Sequence, residues 1–139
     1  MLSRTEALRL LRKHLKNRER REHSILVAEV MAELAMELQR NVDEWYLCGL
    51  LHDLDYEEIQ GDMNRHGLVT AELLGPKVSK DLLHAIRAHD HRTGIKPQNA
   101  FDKALMAADA VATVLTRLDS LGEDVEKINT TILLSKFDE

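Results

Sequence analysis

The apolar residues of this 139-residue chain recur at intervals of three and four rather than two, and only Pro76 and Pro97 interrupt them. Such spacing lays a hydrophobic stripe along a helix and cannot line one face of a strand. The expected fold class is all-α, a helical bundle of about six to seven helices. Ser3 with Glu6 makes a capping box for a first helix over 3–16, with Ala7, Leu8, Leu11 and Leu15 as its stripe. The basic cluster from Lys16 to Arg21 reads as a solvated turn and the start of the next helix, whose apolar pattern runs over about 22–39. Ile25, Ala28, Ala32 and Ala35 share one face of it, widened by Val27, Met31, Leu34 and Leu38. Asn41 or Asp43 caps a third helix that runs to about His52. It is apolar nearly all round and hence central, with Trp45 and Tyr46 as core packing. Residues 54–63 are rich in acids and read as a loop at the mouth of a site. A fourth helix is expected from Asn64 to Leu74, stopped by Gly75 and Pro76. Ser79 caps a fifth, buried through Leu82, Leu83 and Ile86, with His89 near its end. Asn99 caps the strongest, striped by Ala104, Ala108, Val111, Leu115 and Leu118, and a last helix is expected over 123–137.

Length fits one domain, 1–139, with its core at about 20–118 and the first and last helices flanking it. With 44% apolar and only 4% aromatic residues, the chain reads as a soluble Leu/Ala-rich helical protein. A net charge of -5 argues against an extended grip on a nucleic-acid backbone. Cys48 is the only cysteine, so no intrachain disulfide forms, and between Leu47 and Gly49 it reads as a small buried hydrophobe. The N-terminus is charged at once, unlike a secretory signal, and no run approaches the ~18 apolar residues of a membrane span. A cytoplasmic location is the expectation.

At the end of the apolar run Leu47–Leu51 stands the doublet His52-Asp53, with His23, His66, His89 and Asp109 at separated positions around it. Imidazole and carboxylate without a thiolate cluster suit a divalent ion that keeps open positions for water and substrate. His-Asp occurs a second time, at His89-Asp90, so order and context carry the reading rather than the dipeptide. Asp109 lies one position off the stripe of its helix, at the core edge, where a bare charge is costly unless a metal or an arginine meets it. His14 and His84 fit structural or exposed roles.

In this order, and with the strings Gly49-Leu50-Leu51-His52-Asp53-Leu54-Asp55-Tyr56-Glu57, His66-Gly67, Ala85-Ile86-Arg87-Ala88-His89 and Ala107-Ala108-Asp109, the chain resembles the HD superfamily of metal-dependent phosphohydrolases over residues 20–118. The resemblance implies an HD-like bundle with His23, His52, Asp53 and Asp109 around one divalent ion. It also implies room for a second ion on His66 and His89, with Asp53 bridging. Manganese, iron, magnesium, zinc and nickel all fit such donors.

A divalent ion lowers the pKa of water to about 7 in favourable sites and polarises a phosphoryl oxygen, so a phosphorus ester is the expected target. Asp53, Asp55 and Arg87 are the expected catalytic residues, Asp55 as general acid or as the group orienting a ligand histidine. Glu57 and Glu58 fit an exposed acidic loop equally well. Arg65, Arg87, His91 and Arg92, with Lys96 nearby, are the expected substrate contacts.

Many family members carry a lysine or glutamate three residues after the doublet's aspartate, where this chain has Tyr56, and the Gly-Tyr-Pro element of the cyclic-dinucleotide subgroup is absent. The expected activity is hydrolysis of a phosphomonoester or phosphodiester, of a nucleotide or related metabolite. Two alternatives share the fold: a di-iron oxygenase, disfavoured by Tyr56, and a non-catalytic metal-stabilised sensor. Expected partners are a small phosphorylated substrate and, as an allowed assembly, a second copy of the chain in a homodimer.

Overall fold

The computed structural model describes residues 1–120. Among these residues there are six α-helices and no strand: α1 (Arg4–His14), α2 (Arg18–Glu37), α3 (Val42–Leu51), α4 (Leu68–Leu74), α5 (Lys80–Ala88) and α6 (Ala100–Ser120). The helix expected over 123–137 lies outside the described residues. None of the described helices is long and apolar enough to cross a membrane.

Local chemistry sets most boundaries. Ser3 Oγ accepts from the Glu6 N–H at 3.1 Å and donates to the Glu6 carboxylate at 3.0 Å, which closes the first turn of α1. Asn41, not Asp43, caps α3, accepting from Glu44 N at 3.0 Å. Ser79 caps α5 through Leu82 N, and Asn99 starts α6 through Asp102 N.

One expected boundary moves and one is wrong. Asn17 accepts from Arg20 N at 3.0 Å and starts α2 at Arg18, so the basic cluster is a turn and then the start of the second helix, as expected, with that helix beginning earlier than residue 22. The fourth helix begins at Leu68 instead of Asn64, because Gly67 sits at φ +91° and cuts a short 3-10 turn, Met63–Arg65, from α4.

One continuous core runs through all six helices, and α3 is at its centre, packed most extensively on α2. Close approach there requires Gly49, since a Cβ at that position would lie 2.7 Å from Ala28 Cα. Trp45 stacks on Phe101 of α6 with ring centroids 5.0 Å apart, and Cys48 is buried, both as expected from the sequence. On α2 the buried set is Ser24, Val27, Ala28, Met31 and Ala35, so the stripe is rotated from the expected one and Leu38 lies 50% exposed past the helix end.

The acid-rich segment 54–62 is not a simple exposed loop. Leu54, Asp55 and Ile59 are buried, while Glu57 accepts from the Lys16 and Asn17 N–H groups and Glu58 meets His14 Nδ1 at 2.6 Å. These bonds clamp the α1–α2 corner onto the chain leaving the His52-Asp53 doublet.

Candidate metal centre

Helix ends aim the ligands. His52 and His89 occupy the C-terminal caps of α3 and α5, where the last carbonyls lack partners within the helix. Each ring turns back and donates Nδ1–H to the carbonyl three residues earlier, Gly49 O at 2.6 Å and Ile86 O at 2.5 Å. His66 reaches the same outcome through a side chain, donating Nδ1–H to Asp55 Oδ1 at 2.7 Å. All three Nε2 atoms are thereby left pointing inward, the arrangement in which outer hydrogen bonds orient metal-binding imidazoles. His23 enters from the first half of α2 and Asp109 from the middle of α6.

The inward atoms converge. Asp53 Oδ1 lies 2.9 Å from His66 Nε2, 3.4 Å from His52 Nε2 and 3.8 Å from His89 Nε2. Asp109 Oδ1 lies 2.7 Å from His23 Nε2 and 3.5 Å from His52 Nε2. Two sets of donor atoms, His23–His52–Asp109 and His52–Asp53–His89, each fall within 4.8 Å of one another. His52 therefore stands between the two sets, and His66 completes the second side.

Donor chemistry answers whether a cation fits. The Nε2 atoms of His66 and His89 face each other at 3.2 Å although each ring already donates through Nδ1, and His52 Nε2 is buried with no hydrogen-bond partner. Lone pairs facing lone pairs and carboxylates repel unless protons or a metal stand between them. In the metal-free protein the protons do so. Burial works against a charged His52, yet Asp53 and then Asp109 overcome it and raise its pKa to about 9. Burial is likewise outweighed at His66 by its bonds to Asp53 and Asp55, which raise it to about 10. Asp53 and Asp109 stay well below the usual carboxylate range despite burial, held there chiefly by His52 and His66 for the first and by His23 and His52 for the second. The donor set fits one or two divalent ions.

Asp55 does not face this cluster. It is fully buried, with Oδ1 taken by His66 and Oδ2 accepting from Gly67 N at 2.7 Å and Thr70 N at 3.0 Å. Those bonds hold its pKa down in spite of burial. An ionised acceptor with both oxygens engaged has no proton to give, so the general-acid alternative fails and the orienting one fits. Gly67 is required beside it, since a Cβ would lie 2.5 Å from Ile86 O and 3.2 Å from the His89 ring.

The expected substrate contacts are not bonded to the cluster. Arg92 is bound to Asp90 through three hydrogen bonds, and Arg92 first among several causes lowers the Asp90 pKa to about 2. The His91 side chain is 87% exposed, and Arg65 is exposed. Among the described residues no hydrogen bond or ion pair joins Arg65, Arg87, His91 or Arg92 to the six ligand positions. His84 meets the buried Asp102 at 2.8 Å, a structural pairing like that of His14 with Glu58.

What sequence reasoning missed is Arg20. Its Nη2 donates to Asp53 Oδ2 at 2.5 Å, and its guanidinium lies 3.8 Å over the Tyr56 ring, which in turn sets its edge to His66. Tyr56 thus props a cation from another helix beside the cluster. The available signal was spacing: Arg20 precedes His23 by three, on the same face of α2.

Comparison with known proteins agrees with this geometry. The family model described as HD domain matches residues 20–129. Ribonuclease Y from Lawsonia intracellularis (strain PHE/MN1-00) is 32% identical over 94 residues, 65% of this chain, and the match spans 17% of that protein's length. The HD domain match covers well over half of the chain and takes in all six positions of the cluster, and the chain belongs to the HD domain family.

Proposed function

We propose that this protein is a metal-dependent phosphohydrolase acting on a phosphomonoester or phosphodiester of a nucleotide or related molecule. The supporting observation is the inward convergence of imidazole and carboxylate lone pairs that only a cation or protons can reconcile. When bound, a divalent ion supplies a water of lowered pKa and a Lewis acid for a phosphoryl oxygen. His23, His52, Asp53, His66, His89 and Asp109 would hold it, with His52 common to both sets. Asp55 fixes the His66 tautomer. Arg20, with its side chain 30% exposed and held over Tyr56, is the cation placed to meet an anionic oxygen of the substrate. The similarity to a protein named ribonuclease Y favours a phosphodiester of RNA among the esters.

Replacing His52 or Asp53 by alanine is expected to remove both bound metal and hydrolysis. Elemental analysis of protein purified without chelator, paired with a phosphate-release and diester-cleavage screen, checks this. Full hydrolysis by a metal-depleted variant would reject the reading, and iron-linked oxygen uptake without ester cleavage would replace it with an oxygenase.

A further inference from the structure

We infer that the exposed face of α1 is a track for a single-stranded nucleic acid, carrying an extended phosphodiester chain toward the metal centre. This rests on the hydrolase reading above and narrows its substrate to a strand. The charge of the chain is segregated. Eight of its 19 lysines and arginines fall in residues 1–21, against two of its 24 acids, in a protein of net charge -5. The whole-chain balance therefore conceals a cationic segment, and the acidic remainder would repel a polyanion from other faces.

Four of these cations form a stripe. Arg9, Arg12 and Lys13 on α1 and Lys16 just beyond it are exposed at relative positions 0, 3, 4 and 7, opposite the buried Ala7, Leu11 and Leu15. The other four are engaged away from the stripe: Arg4 with Asp43, Arg18 with Glu22, Arg20 with Asp53, and Arg21 with the carbonyls of Leu15 and Lys16, whereas Lys16 Nζ bonds the Arg12 carbonyl within the stripe at 3.2 Å. Among the described residues no carboxylate pairs with the side chains of Arg9, Arg12, Lys13 or Lys16.

A merely solvated helix face interleaves its charges, whereas like charges three and four apart repel. The helix dipole accounts for Arg12 and Lys13 in the last turn but not for Arg9.

Direction comes from the clamp at the α1–α2 corner. Lys16 N–H is bound by Glu57 and His14 meets Glu58, both on the segment that follows Asp53, and one turn into α2 Arg20 touches Asp53 itself. The stripe therefore ends at the corner that is tied to the chain around the centre, and past Glu57 and Glu58 the next cation is Arg20, at Asp53 itself. Five of the six ligand side chains lie below the surface, with that of His23 10% exposed and that of His89 2%, and Asp109, 33% exposed, marks the opening. A flexible strand reaches them where a stiff duplex cannot. The apolar side of α1 is already spent in the core, so the helix has no face left to insert into a lipid surface.

The test is binding of a fluorescent 12-nucleotide single-stranded RNA by anisotropy at several salt concentrations, with the metal-loaded full chain. The triple variant Arg9→Gln, Arg12→Gln, Lys13→Gln is expected to bind at least tenfold more weakly. Its slope of log affinity against log salt should be shallower by about 2, at about 0.7 per lost phosphate contact. The control triple Arg40→Gln, Lys80→Gln, Lys103→Gln removes the same charge from other exposed sites and is expected to bind as the unaltered chain does.

An unchanged slope in the first triple, an equal loss in the control, or stripe-dependent capture by phosphatidylserine vesicles without strand binding would overturn the inference. Cleavage of bis(p-nitrophenyl) phosphate by the unaltered chain tests the hydrolase reading separately. If it is cleaved while the strand goes unbound, the track alone fails.

Discussion

Asp55 and Arg20 show how two residues outside the ligand set govern it. Asp55→Asn keeps one acceptor for His66 but presents an amide N–H₂ to the Gly67 and Thr70 N–H groups, which now have a carboxylate between them. Donors facing donors twist the group, and the His66 ring loses its anchor. Metal affinity is expected to fall about 10- to 100-fold, measured by calorimetric titration on protein whose helicity is unchanged. Arg20→Ala acts differently. It removes no ligand and relieves Asp53 of a competing cation, so metal content should hold while kcat/KM for an anionic ester drops about 10- to 100-fold, the worth of one charged hydrogen bond. Parallel loss of metal in that variant would make Arg20 structural.

Among the elements, the α2–α3 pair carries the sharpest packing constraint. Gly49→Ala places a methyl against Ala28 Cα, Ala28 N and Val27 O, all within 2.8 Å, and backbone atoms have no rotamer to yield. The helices must part, and thermal or urea unfolding should report a loss of about 1–3 kcal/mol. The same displacement carries His52 with it, since its ring hangs from the Gly49 carbonyl.

Elements were also where the sequence was most legible. Ser3, Asn41, Ser79 and Asn99 announce helix starts because a cap bonds only three residues ahead. Asn17 escapes notice as the cap because the basic run around it shows a turn and a helix start without marking where one becomes the other, and Gly67 truncates α4 because its positive φ answers to Ile86 and His89, residues about twenty positions on.

At the scale of the whole molecule, the six candidate ligand positions were readable as a pattern, since five sit in short local strings and His23 stands in order before them. Arg20 was not, because its partner Asp53 is 33 residues away, and Asp55 hid its role because its partners lie 11 to 15 residues ahead. The closed cluster makes stability answer to pH. In the metal-free protein His52 and His66 have pKa values of about 9 and 10, above the ordinary ~6.5, so their protonated forms stabilise the fold fully below ~6.5. That contribution is lost as pH rises through 9 to 10. Asp53 and Asp109, depressed, stabilise above ~3.9, and their contribution is lost as pH falls below it. Metal-free protein should therefore melt highest between about pH 4 and 6.5. A bound metal competes with the imidazole protons, so its affinity should rise over pH 6.5 to 10 and move the melting optimum upward. Melting curves with chelator and with manganese across that range check this, and coincident optima would refute it.

The rings of His52 and His89 are measured out by helix turns, being latched to the carbonyl three residues behind. One residue inserted in α3 or α5 would swing its imidazole by about 100° around the axis, away from its companions. Length variation compatible with this centre is thereby confined to stretches such as 94–98, between the latched ends and the next helix, and a lineage preserving the site must conserve the residue count of these two rods more strictly than the identity of most side chains on them.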